Sequence, residues 1–213
     1  MQQAFTKHVS MLAAGTLLAL SAQAFAESGS DGATDHDHDH SEEHAHDHKA
    51  DDIYDGYFHD DQIEARDLSD WAGDWQSVYP LLQDGTLDRV MAHKAEDSER
   101  TAAEHTAYYR TGYATEVDRI LIEGGSVTFF EDGTSQQARY ADDGHEVLTY
   151  EAGNRGVRYI FEKTGGAVEA PAYIQFSDHA IAPKDAGHFH LYWGDDRATL
   201  LKEVTNWPTY FPA

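Results

Sequence analysis

The sequence predicts a mainly β domain: an antiparallel β-barrel of about eight strands with a few added α-helices. Three observations point there. The apolar period changes from helical to two after Gly112. From Glu116 to Trp193 the chain breaks into short segments rich in branched and aromatic residues, and glycine-containing turns separate them. Closure into a barrel removes exposed strand edges, and about eight strands suffice for a small one. An open β-sandwich of the same strands is the competing arrangement.

Taken in order, residues 1–26 read as a signal peptide. Lys7 and His8 precede an apolar run from Met11 to Leu20, and Ala24-Phe25-Ala26 is a small-x-small cleavage site. The run is shorter than the ~20 apolar residues that span a bilayer. The expectation is export to the periplasm with no membrane insertion after cleavage. Residues 27–52 are almost free of large apolar side chains and read as a disordered His/Asp-rich arm. In it His36, His38, His40, His44, His46 and His48 interleave with carboxylates, a flexible chelator of Zn²⁺, Ni²⁺ or Cu²⁺. Ordering such an arm costs ~1–2 kcal/mol per fixed residue, so it is expected to gather metal at low affinity. An acidic linker is the plainer alternative.

Residues 53–213 have the composition of one folded domain. The stretch from Leu68 to Leu82 is dense in aromatics and supplies core, and Gly73-Asp74-Trp75 has the Gly-x-Trp spacing that opens lipocalin-like barrels. A short helix is expected from Thr86, as its cap, through Lys94. A second runs from Glu99 to Thr111, stopped by Gly112. The expected strands are one near Trp75, then Glu116–Ile122, Ser126–Glu131, Ser135–Tyr140, Glu146–Tyr150, Val157–Glu162, Ala172–Phe176 and His188–Trp193. A last helix around Ala198–Val204 and the aromatic tail Asn206 to Pro212 would cover one end. His59, His93, His105 and His145 show no ligand spacing and read as surface residues.

The chain has no cysteine, so it offers neither a disulfide nor a thiolate ligand. Any metal site must use His and carboxylate. A net charge of −24 argues against nucleic acid and anionic membranes as partners. In a strand, successive side chains point to opposite faces, so His188 and His190 share one face and Phe189 takes the other. Pro183 and Gly187 mark a loop between two strands. If those strands pair as a hairpin, His179 returns to meet His188 and His190. Three neutral imidazoles would then leave a tetrahedral Zn²⁺ one open position, at about 2.0–2.1 Å Zn–N distances. A polar strand face without metal is the bland alternative.

The residues Leu68-Ser69-Asp70-Trp71, Trp75 to Leu82, Gly112-Tyr113-Ala114-Thr115, Leu148-Thr149-Tyr150, Gly156-Val157-Arg158-Tyr159, Tyr173 to His179, His188-Phe189-His190 and Asn206 to Tyr210 carry a family resemblance. The chain resembles the ZinT (YodA) family of periplasmic zinc- and cadmium-binding proteins over nearly the whole folded domain. The resemblance implies a lipocalin-like (calycin) barrel, His179, His188 and His190 as metal ligands, and a His-rich arm. It also implies capture of scarce Zn²⁺, with Cd²⁺ as a second cargo, and delivery to the substrate-binding protein of a zinc ABC importer. Some relatives carry a cysteine pair where this chain has Ala138 and Lys163. No fourth ligand is marked. Asp178 should leave the face opposite to His179.

Two other functions fit parts of the sequence. Three His and a water also make the zinc site of a hydrolase or hydratase, which would further need a positioned acid or base. A lipocalin-type carrier of a small apolar ligand would need an interior cavity.

Overall fold

The structure, a computed structural model, describes residue 50 and residues 52–213. The expected signal peptide and the six arm histidines from His36 to His48 lie outside the described residues. Eight antiparallel strands close into a barrel in chain order, with β1 pairing β8. They are β1 (Gly73–Ser77), β2 (Val117–Glu123), β3 (Ser126–Glu131), β4 (Thr134–Thr149), β5 (Arg155–Gly166), β6 (Tyr173–Ser177), β7 (Phe189–Gly194) and β8 (Thr209–Pro212). The closed barrel, not the open sandwich, is what forms.

The expected number of strands is reached by a different route. Ser135–Tyr140 and Glu146–Tyr150 are two halves of β4, because Asp142-Asp143-Gly144 forms a bulge instead of a turn. The register slips between Asp142 and His145. Gly144 takes φ 81°, and its N–H donates to Asp142 Oδ1 at 3.1 Å. The eighth strand is β8, formed by residues expected as a tail over one end. It pairs with β7 through Phe189↔Tyr210 and His190↔Thr209, and with β1 through Trp75↔Pro212, closing the cylinder.

Aromatic side chains fill the interior. A 3₁₀ turn at Leu68–Trp71 delivers Trp71, 0% exposed, onto Phe176 with ring centroids 4.6 Å apart and edge-on to Phe161 at 5.9 Å. Trp75 meets Phe189 at 4.8 Å, and Phe189 stacks on Tyr210 at 5.6 Å. Trp75 Nε1 donates to the Trp71 carbonyl at 2.9 Å, so the buried indole keeps a partner. At the position where the resemblance suggested cysteines, Ala138 is buried. Lys163 Nζ instead donates to the carbonyls of Ala167, Val168 and Ala170, tying down the segment after β5.

Three helices between β1 and β2 enclose a second, smaller core of Leu82, Met91 and Tyr109: α1 (Tyr79–Gln83), α2 (Asp88–Glu96) and α3 (Ala102–Tyr113). Helix α1 lies at the end of the stretch expected only as core, and it opens with Pro80 in its first turn, where a missing N–H is tolerated. Thr86 is not a cap. Its N–H donates to Asp84 Oδ1 at 2.9 Å in the preceding turn, and α2 begins at Asp88. At the head of α3, the Glu104 N–H donates to the Thr101 hydroxyl at 3.3 Å and the Thr101 N–H to the Glu104 carboxylate at 2.7 Å, a capping box. Gly112 lies inside α3 and does not end it. A Cβ there would stand 2.3 Å from the Trp207 ring, so glycine serves close packing at this position. The last helix, α4 (Arg197–Leu200), is shorter than expected, and Asp196 caps it by accepting the Thr199 N–H at 2.6 Å. His105 is buried beside Tyr109 rather than on the surface, while His59, His93 and His145 are exposed as expected.

Candidate metal centre

The hairpin of β6 and β7 gathers the three histidines singled out in the sequence. Ser177 pairs with His190, so the chain leaving β6 passes beside the start of β7. His179 lies two residues beyond β6 with φ 65°, a left-handed conformation that bends the backbone back. His188 immediately precedes β7 and His190 lies within it. Phe189, 0% exposed, points into the core between them. The three rings form a nearly equilateral triangle, with centroids 5.8, 5.7 and 5.9 Å apart. One nitrogen of each lies within 4.8 Å of the others. Nitrogens around one tetrahedral zinc stand about 3.3 Å apart, so a bound ion would draw the three rings closer together. Among the described residues, the group holds these three and no fourth.

Each ring has a second contact that sets its orientation. His179 Nδ1 lies 3.2 Å from the Tyr54 carbonyl, and the Tyr54 ring stacks on the imidazole at 4.5 Å. His188 stacks on Phe211 at 5.5 Å. His190 Nδ1 lies 2.8 Å from the Thr209 hydroxyl. None of Tyr54, Phe211 and Thr209 was anticipated. Their contacts join positions remote in sequence or paired through β8, and no local pattern marks them.

Asp178 and His179 both lie beyond the end of β6, so strand alternation does not govern them; Asp178 is not one of the grouped residues and accepts from Arg66 Nη1 at 2.6 Å. Arg66 Nε donates to Asp70 at 2.7 Å, and Nη2 donates to the Lys184 carbonyl at 2.7 Å. The guanidinium lies 4.1 Å from the centre of the Trp71 ring. Asp70 in turn accepts the N–H groups of Lys184, on its carboxylate, and Ala186, on its carbonyl. This buried network anchors the loop that joins His179 to His188.

Burial favours the neutral form of all three imidazoles, pushing each below the ordinary histidine value of about 6.5. His179 adds to the effect on His188, and at His190 both other imidazoles and the Arg158 guanidinium do so. The neutral form is the one that ligates metal. A folded-state pKa below the unfolded one means that the unfolded chain binds more protons, so stability falls as pH drops through about 6.5 toward the lowered values. The chelator-treated protein is therefore expected to melt at progressively lower temperature on acidification from about pH 7.5 to pH 5.5, and His190→Ala is expected to flatten that slope. Thermal unfolding followed by circular dichroism checks it.

A family model described as "ZinT (YodA) periplasmic lipocalin-like zinc-recruitment" matches residues 49–213. The chain belongs to the ZinT family. It is 59% identical over 162 residues to the probable metal-binding protein YrpE of Bacillus subtilis, covering 76% of this chain and 64% of that protein. It is 52% identical over 164 residues to the zinc-binding protein AdcA of Streptococcus pyogenes, covering 75% of this chain and 32% of AdcA. It therefore spans less than two thirds of the first relative and about a third of the second. The Zn(II)-bound ZinT-like domain of Streptococcus pneumoniae AdcA superposes with a TM-score of 0.73 at 47% identity, covering 75% of this chain and 90% of that one. The barrel is thus a lipocalin-like ZinT domain.

Proposed function

We propose that this protein is an exported zinc-binding protein that captures Zn²⁺ through His179, His188 and His190 and passes it to the substrate-binding protein of a zinc ABC importer. The observation that carries the reading is the triangle of neutral imidazoles at one end of a ZinT barrel, in a family described by zinc recruitment. That a domain of 47% identity was solved with Zn(II) bound supports zinc as the cargo. Cd²⁺ suits the same three nitrogens, and Ni²⁺ or Cu²⁺ would compete by raw affinity. The Lys7 to Ala26 pattern supports export to the periplasm, and the six histidines from His36 to His48 would gather metal for the tighter site. An incomplete protein shell leaves an exchange position through which a receiving ligand enters.

A zinc hydratase would need an acid or base beside the metal, and the Asp178 carboxylate is committed to Arg66. An apolar carrier would need room where Trp71, Trp75, Phe176 and Phe189 pack. Both observations favour the binding role.

Calorimetric zinc titration of the chain lacking residues 1–26 tests this, alongside a variant with all six arm histidines changed to alanine and a His188→Ala variant. One tight site should survive loss of the arm histidines and vanish with His188. Tight binding that follows the arm and ignores His188 would overturn the assignment.

A further inference from the structure

The hydrogen bonds behind His190 decide which of its nitrogens faces the other two rings. Thr209 is 2% exposed, and its hydroxyl has one proton. Oγ1 donates that proton to the Trp207 carbonyl at 2.9 Å. Toward His190 Nδ1, 2.8 Å away, the same oxygen can then only accept. Nδ1 therefore carries hydrogen, an N–H that the Trp207 carbonyl beside it also favours, and Nε2 keeps the free lone pair. At His179 a backbone carbonyl, that of Tyr54, reaches the same end, since a carbonyl accepts and never donates. The acceptor for Thr209 is itself fixed: the Trp207 N–H donates to the Gly112 carbonyl at 2.6 Å, at the end of α3.

We propose that Thr209 is a positioning residue for the metal site, the middle of a relay from Gly112 through Trp207 to His190 that holds this imidazole in the Nδ1–H tautomer with Nε2 presented to the metal. The inference rests on the reading of His190 as a ligand, but its first consequence concerns the metal-free protein. A neutral imidazole in water exchanges between two tautomers and two ring flips, and only one combination offers a lone pair to the triangle. Preselecting it removes an ordering cost from metal capture and raises the basicity of Nε2 through the bond at Nδ1. Thr209 never touches the metal. Its partner strand position, opposite His190 in β7, keeps the hydroxyl in register with the ring.

The test uses the chain lacking residues 1–26, labelled with ¹⁵N-histidine and free of metal, at a pH above the histidine range. Long-range ¹H–¹⁵N correlation should show His190 as a single Nδ1–H tautomer. Thr209→Val keeps the volume of the side chain and removes the hydroxyl. It should give His190 a mixture of tautomers and weaken zinc binding by about 10- to 100-fold, the usual effect of losing a partner behind a ligand. Thr209→Ser should restore both readouts. A His190 tautomer unchanged in Thr209→Val would overturn the inference whatever the zinc affinity, as would failure of serine to rescue a variant whose fold is intact by circular dichroism. If His190→Ala leaves tight zinc binding untouched, the ligand reading fails, and the tautomer spectra alone still decide whether Thr209 locks the ring.

Discussion

Replacing His190 by alanine is expected to weaken zinc binding by at least about 100-fold, the upper end of what loss of a partner behind a ligand does. Of the three proposed ligands, His190 is the one that the fold positions most completely. Its backbone pairs with Ser177 on one side and Thr209 on the other, and its Nδ1 is held by a hydroxyl. Two imidazoles would remain, and they leave a tetrahedral ion half supplied. The loss should also be visible without a direct binding measurement. A ligand that binds only the folded state stabilises it by RT ln(1 + [L]/Kd), about 2.7 kcal/mol at a free concentration 100-fold above Kd. For a domain of this size that raises the melting temperature by several degrees, roughly 2–4 °C per kcal/mol. The parent chain should show that zinc-dependent rise, and His190→Ala should lose most of it, keeping a shift of no more than about 1 °C. A full zinc-dependent shift in the variant would remove His190 from the site.

How much of this centre was legible follows from which interactions are local. His188 and His190 could be placed together because strand periodicity is a local rule, and His179 joined them because a hairpin is the shortest antiparallel connection. The second contacts could not be read. Thr209 meets His190 through β8, a four-residue strand bounded by Pro208 and Pro212. That segment looks like tail until its pairing with β1 and β7 is known. Tyr54 reaches His179 across 125 positions. The errors in the fold have the same origin. Asp142-Asp143-Gly144 has turn chemistry, and the bulge it makes is decided by β5 running beside both halves of β4. Gly112 has the look of a helix stop, but the Trp207 ring is what excludes a side chain there. Local chemistry named the residue types correctly, and distant partners decided their use.

Arg66→Met is expected to destabilise the domain by about 3–5 kcal/mol, the range seen when one partner of a buried ion pair is removed. The side chain of Arg66 is 0% exposed and that of Asp178 is 4% exposed. Methionine can occupy much of the space over Trp71 and Tyr159. It supplies none of the donors to Asp178, Asp70 and the Lys184 carbonyl. The penalty comes chiefly from the carboxylate left behind, since a buried pair as a whole is often no better than apolar residues of the same volume. Arg66→Met combined with Asp178→Asn should therefore be more stable than Arg66→Met alone, with a coupling of about 0.5–3 kcal/mol measured by urea unfolding of the four members of the cycle. The same loop carries His179 at one end and His188 at the other, so the single variant should also weaken zinc binding while its histidines are intact. Additive unfolding energies across the cycle would show that Arg66 acts by filling space rather than by neutralising Asp178, and the loop would then be held by the Asp70 contacts to Lys184 and Ala186 together with the Glu64 N–H to the Ile181 carbonyl.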